Sequence, residues 1–154
     1  ELIQKGTIKP VNQLDLKVTY HDPCYLGRHS SIYDAPRRIL KAIPGVTLIE
    51  MQNNRERSFC CGGGSGGPWK DRIGKESLGE VRIKEAIGTG AGVIATACPY
   101  CIRQLNEAIA KLGVGNKIKV QDITELLLQS VDLSVKSGRT GNSHRSVSQE
   151  GLHV

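Results

Sequence analysis

Five cysteines carry the chemistry of this chain: Cys24 alone, the adjacent pair Cys60-Cys61, and the run Cys98-Pro99-Tyr100-Cys101. Thirty-five residues separate Cys24 from Cys60, and thirty-six separate Cys61 from Cys98. No cysteine lies outside this pattern. Scattered core cysteines do not come as a single, a doublet and a C-x-x-C at near-equal spacings. The set reads as a thiolate nest for a metal centre. Iron and zinc both accept thiolates. A structural zinc site takes four tetrahedral ligands, usually as two chelating pairs. Here there is one such pair, and five sulfurs are one too many. Adjacent cysteines tend to point apart, so they bind different irons of a polynuclear cluster more readily than one ion. An ordinary cubane needs four cysteines. Five invite either an unusual cluster or a cubane with a spare thiolate.

The neighbouring residues add to this reading. The run Gly62-Gly63-Gly64-Ser65-Gly66-Gly67 lets backbone approach a bulky group, and its amides can donate to sulfur. A flexible loop with no task is the plainer explanation. A phosphate cradle is disfavoured because Gly-x-x-x-x-Gly-Lys-Ser/Thr is absent and Lys70 follows Pro68-Trp69. Cys98-Pro99-Tyr100-Cys101 also has the form of a dithiol redox motif, at a helix start that favours thiolate. A thioredoxin-like fold would need more sheet after that helix, and three cysteines would go unexplained. His21 and His29 flank Cys24, as hydrogen-bonding loop residues more often than as ligands. Arg55 and Arg57 would balance cluster charge, face an anionic substrate, or simply be solvated. Trp69 reads as packing, and His144 and His153 as inert.

The net charge is +6 with a pI near 9.2. Basic residues are dispersed without interleaved aromatics, which argues against nucleic acid and leaves a solvated surface or a docking face for an acidic protein. Runs such as Val93-Ile94-Ala95 are too short to cross a bilayer. An odd cysteine count without a secretory signal argues against a disulfide framework. The expectation is a cytoplasmic location, at the inner membrane face if a partner is membrane-bound. A start at Glu1 fits a piece of a longer chain.

These side chains need a scaffold, and the apolar pattern supplies one. Leu14 to Thr19 alternates as a strand. Asp34 is expected to cap a helix with Ala35, Ile39, Ala42 and Ile43 on one face, stopped by Pro44-Gly45. Val46 to Met51 reads as a strand. Lys75 to Ile87 reads as a helix ended by Gly88, and Gly92 to Ala97 as a buried strand. Ile102, Leu105, Ile109 and Leu112 stripe the next helix. Ile118 and Val120 mark a short strand, and Asp122 caps a helix through Leu128. The periodicity stops near Leu133. Alternation of this kind implies an α/β fold, a parallel sheet with flanking helices. In such folds sites form at the carboxyl ends of strands, where Cys24, Cys60-Cys61 and Cys98 all fall. The expected organisation is a domain over residues 14–133 followed by a disordered tail over 134–154.

The segments His21-Asp22-Pro23-Cys24, Phe59-Cys60-Cys61-Gly62-Gly63-Gly64 and Ala97-Cys98-Pro99-Tyr100-Cys101 resemble the cysteine-rich CCG domain. That domain occurs in heterodisulfide reductase subunits and in iron–sulfur subunits of glycolate oxidase, lactate-utilisation and anaerobic glycerol-3-phosphate dehydrogenase complexes. The resemblance runs from about Leu16 to Leu128. Tyr25-Leu26-Gly27-Arg28-His29 and Arg55-Glu56-Arg57-Ser58 look closest to the heterodisulfide reductase branch. It implies a second domain copy from a longer subunit, and a noncubane [4Fe–4S] cluster held by Cys24, Cys60, Cys61, Cys98 and Cys101. It further implies an oxidoreductase role in electron transfer and thiol/disulfide reduction. Flavoprotein or iron–sulfur partner subunits are expected, with FAD on a partner and not on this chain. Some relatives carry zinc or a simpler cluster in one copy, so a zinc-stapled docking module is the alternative. A second alternative is an electron-transfer subunit of a flavin-dependent 2-hydroxy-acid or glycerol-3-phosphate dehydrogenase.

Overall fold

A computed structural model describes residues 1–64 and 76–132. The expected tail, Trp69, Lys75, His144 and His153 lie outside the described residues. Four strands form one parallel sheet in the order β2-β1-β3-β4. They are β1 (Leu16–Tyr20), β2 (Val46–Leu48), β3 (Val93–Thr96) and β4 (Lys119–Asp122). Helices α1 (Asp34–Ala42), α2 (Leu78–Gly88), α3 (Pro99–Leu112) and α4 (Ile123–Ser130) connect and cover them. The expected α/β architecture with flanking helices is what the chain adopts.

The sheet separates two apolar layers because side chains alternate along each strand. Val18, Tyr20, Val93 and Ala95 pack with Leu40, Ile43, Ile123 and Leu126 on the α1/α4 side. Ile94 packs with Ile83, Leu105, Ile109 and Ile118 on the α2/α3 side. Every residue of β3 is buried, as its almost purely apolar sequence leads one to expect.

Helix ends follow local chemistry. Asp122 caps α4 by accepting from the Thr124 amide at 2.7 Å. Gly113 closes α3 with a φ of 66°, a conformation that costs glycine nothing. Three expectations are corrected. Asp34 is the first residue of α1 and not its cap; its carboxylate instead accepts from Arg55 at 2.8 Å. Helix α2 begins at Leu78, because Ser77 and Glu80 form a reciprocal capping box. Strand β2 is also shorter than the apolar run Val46 to Met51, and Met51 is buried in the α2/α3 layer instead of pairing in the sheet.

Among the described residues no helix is long and apolar enough to cross a membrane. Near the amino edge of the sheet, Pro10 and Val131 form an isolated antiparallel bridge. The amides of Val11 and Asn12 both donate to the Ser130 carbonyl there, at 2.7 and 2.8 Å.

Candidate metal centre

The first three strands each deliver cysteine at their carboxyl ends. Strand β1 runs through His21-Asp22-Pro23 to Cys24, which precedes a single π-helical turn, Tyr25–His29. In it the His29 amide donates to the Cys24 carbonyl at 3.0 Å. Such wide turns cluster at functional sites. The loop after β2 carries Cys60 and Cys61. Strand β3 ends at Thr96, and Cys98 occupies the N-cap position of α3, with Pro99 opening the helix. Cys101 lies in the first turn. The sheet order reverses direction between β1 and β3, so this edge is the topological switch point where α/β folds place their ligands.

The cysteines fall in two neighbouring groups that share Cys60. Cys61 and Cys101 are buried members of the α2/α3 core layer, and Cys60 and Cys98 pack against it. Cys24 and Cys60 line the same small cleft with Arg28, Arg55 and Ser58. All five are free thiols. The thiols of Cys60, Cys61 and Cys101 are neighbours in the α2/α3 layer. The adjacent Cys101 thiol, with burial, pushes the Cys61 thiol up to about 11. The adjacent Cys61 thiol, with burial, pushes Cys60 further still. Neighbouring thiols keep their protons because adjacent thiolates would repel. A bound cation inverts that balance and displaces the protons.

The backbone around the doublet is shaped for close approach. Gly62 has a φ of 86°, and its amide donates to the Cys60 sulfur at 3.3 Å. A Cβ on Gly63 would stand 2.9 Å from Cγ of Gln104 and 3.4 Å from the Cys61 sulfur. A Cβ on Gly79 would stand 3.2 Å from the Cys61 carbonyl, so α2 reaches the doublet only because residue 79 is glycine.

Two buried arginines, which residue pattern alone does not single out, hold these loops. Arg37 donates to both oxygens of Asp22 at 2.7 and 3.0 Å, to both of Glu50 at 2.6 and 2.9 Å, and to the Tyr33 carbonyl at 2.8 Å. Asp22 also accepts from the Arg55 amide at 2.8 Å. One carboxylate therefore ties the Cys24 loop to the segment leading into Cys60. Arg82 is fully buried. It donates to Nδ1 of His21 at 3.1 Å, the Asn53 carbonyl at 2.6 Å, Glu85 at 2.7 Å and the Ser58 hydroxyl at 3.2 Å. Nothing in the sequence announced either role. A lone arginine in an amphipathic helix reads as solvated until its neighbours are known.

The other candidates sort clearly. A ring nitrogen of His21 and the sulfurs of Cys61 and Cys101 lie within 4.8 Å of one another, all buried. Burial and the Arg82 charge hold the imidazole down at about 3, so it is neutral. His29 is exposed, with its ring 5.0 Å from that of Tyr25. Arg55 pairs with Asp34 and lines the cleft, while Arg57 points to solvent. The hydroxyl of Thr96 is buried without a hydrogen-bond partner. Strand alternation sets it on the same face as Ile94, which packs in the layer that holds Cys61 and Cys101. A buried hydroxyl without a partner on that face is one that a sulfide- or thiolate-rich occupant would satisfy. The residues present thus fit a sulfur-ligated group: a donor set dominated by thiols, glycine where the backbone passes the sulfurs, and a buried hydroxyl without a partner.

Fold and rim together define a parallel α/β domain that presents a cluster of cysteines at its switch point. Residues 18–106 match the family described as the cysteine-rich domain, CCG, and the chain belongs to that family. It is 40% identical over 131 residues to a probable iron-sulfur-binding oxidoreductase, FadF, of Bacillus subtilis, covering 85% of this chain and 19% of that protein. It is 41% identical over 136 residues to one polypeptide of the dihydromethanophenazine:CoB–CoM heterodisulfide reductase of Methanosarcina acetivorans, covering 88% of this chain and 33% of that polypeptide. Against an EtfAB:quinone oxidoreductase of Syntrophomonas wolfei it is 34% identical over 139 residues, covering 86% of this chain and 19% of that protein. The chain therefore spans between about a fifth and a third of the length of these relatives.

Proposed function

We propose that this chain is an iron–sulfur domain of an oxidoreductase, in which Cys24, Cys60, Cys61, Cys98 and Cys101 hold one [4Fe–4S] cluster. The observation that carries the reading is that the five cysteines follow β1, β2 and β3 at one edge of the sheet, with Cys60, Cys61, Cys98 and Cys101 packed in one layer and Cys24 sharing a cleft with Cys60. A single tetrahedral ion would leave one sulfur over. A polynuclear cluster uses the adjacent pair on different irons, which supports a noncubane arrangement. When bound, such a cluster supplies one-electron chemistry, and an iron with an open position would bind a substrate sulfur.

The chain's own residues do the rest. Asp22, clamped by Arg37, fixes the Cys24 loop, and Gly62 and Gly63 admit the backbone beside the sulfurs. The core layer under Cys61 and Cys101 excludes water. The relatives' names support an electron-transfer role and, for one branch, reduction of a heterodisulfide. We assign the thiol/disulfide couple as substrate on that ground, and a flavoprotein or iron–sulfur subunit as electron partner, with flavin on the partner. The proposed unit is residues 14–133, one domain of a longer oxidoreductase subunit that works in the cytoplasm or on the inner membrane face through a membrane-bound partner.

The test is iron and acid-labile sulfide analysis on anaerobically reconstituted protein, with absorption and EPR on the same sample. About four of each is expected, with an oxidised-state signal that responds to added thiol. Cys60→Ser and Cys61→Ser should each prevent normal assembly. A colourless protein with one zinc would make this a structural module. Full iron content in both serine variants would remove the five-ligand assignment.

A further inference from the structure

Among the described residues His21 brings a ring nitrogen beside the Cys61 and Cys101 sulfurs, and its hydrogen bond from Arg82 opposes its binding metal. A guanidinium is always a donor and never an acceptor. Because Arg82 Nε donates to Nδ1 of His21 at 3.1 Å, Nδ1 carries no proton. The imidazole is then the neutral Nε2–H tautomer, with no free lone pair to offer a cation. For Nε2 to ligate, Nδ1 would have to carry the hydrogen and face Arg82 donor to donor. Arg82 cannot swing away cheaply. It is fully buried, and its other nitrogens are held by Asn53, Glu85 and Ser58. Ser58 lies two residues before Cys60, so one guanidinium sets both the ring and the approach to the doublet. The ring itself is 1% exposed, and the Cys61 and Cys101 sulfurs lie within 4.8 Å of one of its nitrogens.

We propose that His21 is a fixed hydrogen-bond donor to the metal centre, its Nε2–H directed at a Cys61 or Cys101 sulfur and its tautomer set by Arg82. The inference rests on the cluster reading above. Hydrogen bonds to cluster sulfurs stabilise the more negative, reduced state and raise the potential. His21 is therefore a positioning residue that tunes the electron affinity of the site.

Two experiments separate this from the cluster reading itself. In metal-free protein labelled with ¹⁵N-histidine, long-range ¹H–¹⁵N correlation reads the tautomer directly. Nε2–H is expected, and a ring protonated on Nδ1 overturns the proposal whatever metal the protein takes. In the iron-loaded protein, His21→Leu should keep its iron and sulfide while its potential falls. The expected drop is about 59 mV, tenfold in a one-electron equilibrium. His21→Gln, whose amide can donate, should recover most of it. An unchanged potential in His21→Leu at full iron content defeats the proposal. So does strong directly bonded nitrogen hyperfine coupling in the wild-type paramagnetic state, which would make His21 a ligand. If His21→Leu does not fold, the tautomer and the hyperfine coupling decide alone. Wild-type protein that takes up no iron, yet shows the Nε2–H tautomer, sinks the cluster reading and leaves His21 a donor to the thiol rim.

Discussion

Replacing Arg37 by methionine should cost the fold about 3 kcal/mol, the low end of what breaking a buried ion pair from one side costs. The magnitude follows from what the guanidinium leaves behind. Its Asp22 arm is closed to solvent, with side chains 4% and 2% exposed. Without Arg37 the Asp22 carboxylate still accepts from the Arg55 amide at 2.8 Å, which is why the cost sits at the low end. The Glu50 arm adds little, because that carboxylate is 36% exposed and water screens such pairs to about 1 kcal/mol or less. The guanidinium also lies 5.2 Å above the Tyr20 ring, a contact that methionine partly replaces. The assay is urea unfolding of metal-free wild type, Arg37→Met, Asp22→Asn and the double variant. Neutralising Asp22 removes the stranded charge, so the double variant should be at least about 1 kcal/mol more stable than additivity predicts, within the range seen for contacting pairs. A cost below about 1 kcal/mol for Arg37→Met, or strict additivity, would refute the reasoning.

Three further outcomes are expected. Gly79→Ala should lower the thermal midpoint and weaken metal uptake together. Its Cβ would meet the Cys61 carbonyl at 3.2 Å and Ala108 at 3.3 Å, and overpacking of about 1–3 kcal/mol outweighs the roughly 1 kcal/mol gained in helix propensity; a raised midpoint would show that α2 shifts freely. Leu126→Ala, in the α1/α4 layer away from the cysteines, should cost about 2–5 kcal/mol in unfolding yet leave iron stoichiometry unchanged in the folded fraction. Glu80 gives a pH signature. Lys111, then the Ser77 amide and hydroxyl, hold its carboxyl down at about 2, against 4.5 ordinarily. Its contribution is full above the unfolded value and fades as pH falls towards the folded one. The stability gap between wild type and Glu80→Gln should therefore narrow from about pH 6 to about pH 3; a constant gap would mean the carboxylate charge is not what Glu80 contributes.

Much of the scaffold could be read from residue pattern, and the reasons are local. Val93 to Ala95 is apolar without a break, as a strand covered on both faces is. Asp122 followed by Glu125 marks a helix start in any context. The cysteine spacing and strand-helix alternation together led to a shared rim. The pattern was least informative where tertiary contacts override it. Asp34 looks like a cap, but Arg55, distant in sequence, takes its carboxylate. Met51 extends an apolar run that the sheet does not use. The buried arginines were invisible, since Arg37 and Arg82 gain meaning only when Asp22, Glu50 and His21 are brought to them. His21 was legible as a hydrogen-bonding residue, but its partner and tautomer were not.

The bridge between Pro10 and Val131 ties the segment ahead of β1 to the residue that follows α4. The amides of Val11 and Asn12 reinforce it on the Ser130 carbonyl. The first and last parts of the fold are thereby clasped to each other by backbone. Fraying of the segment before β1 has to release the end of α4, so the two open together and not one at a time.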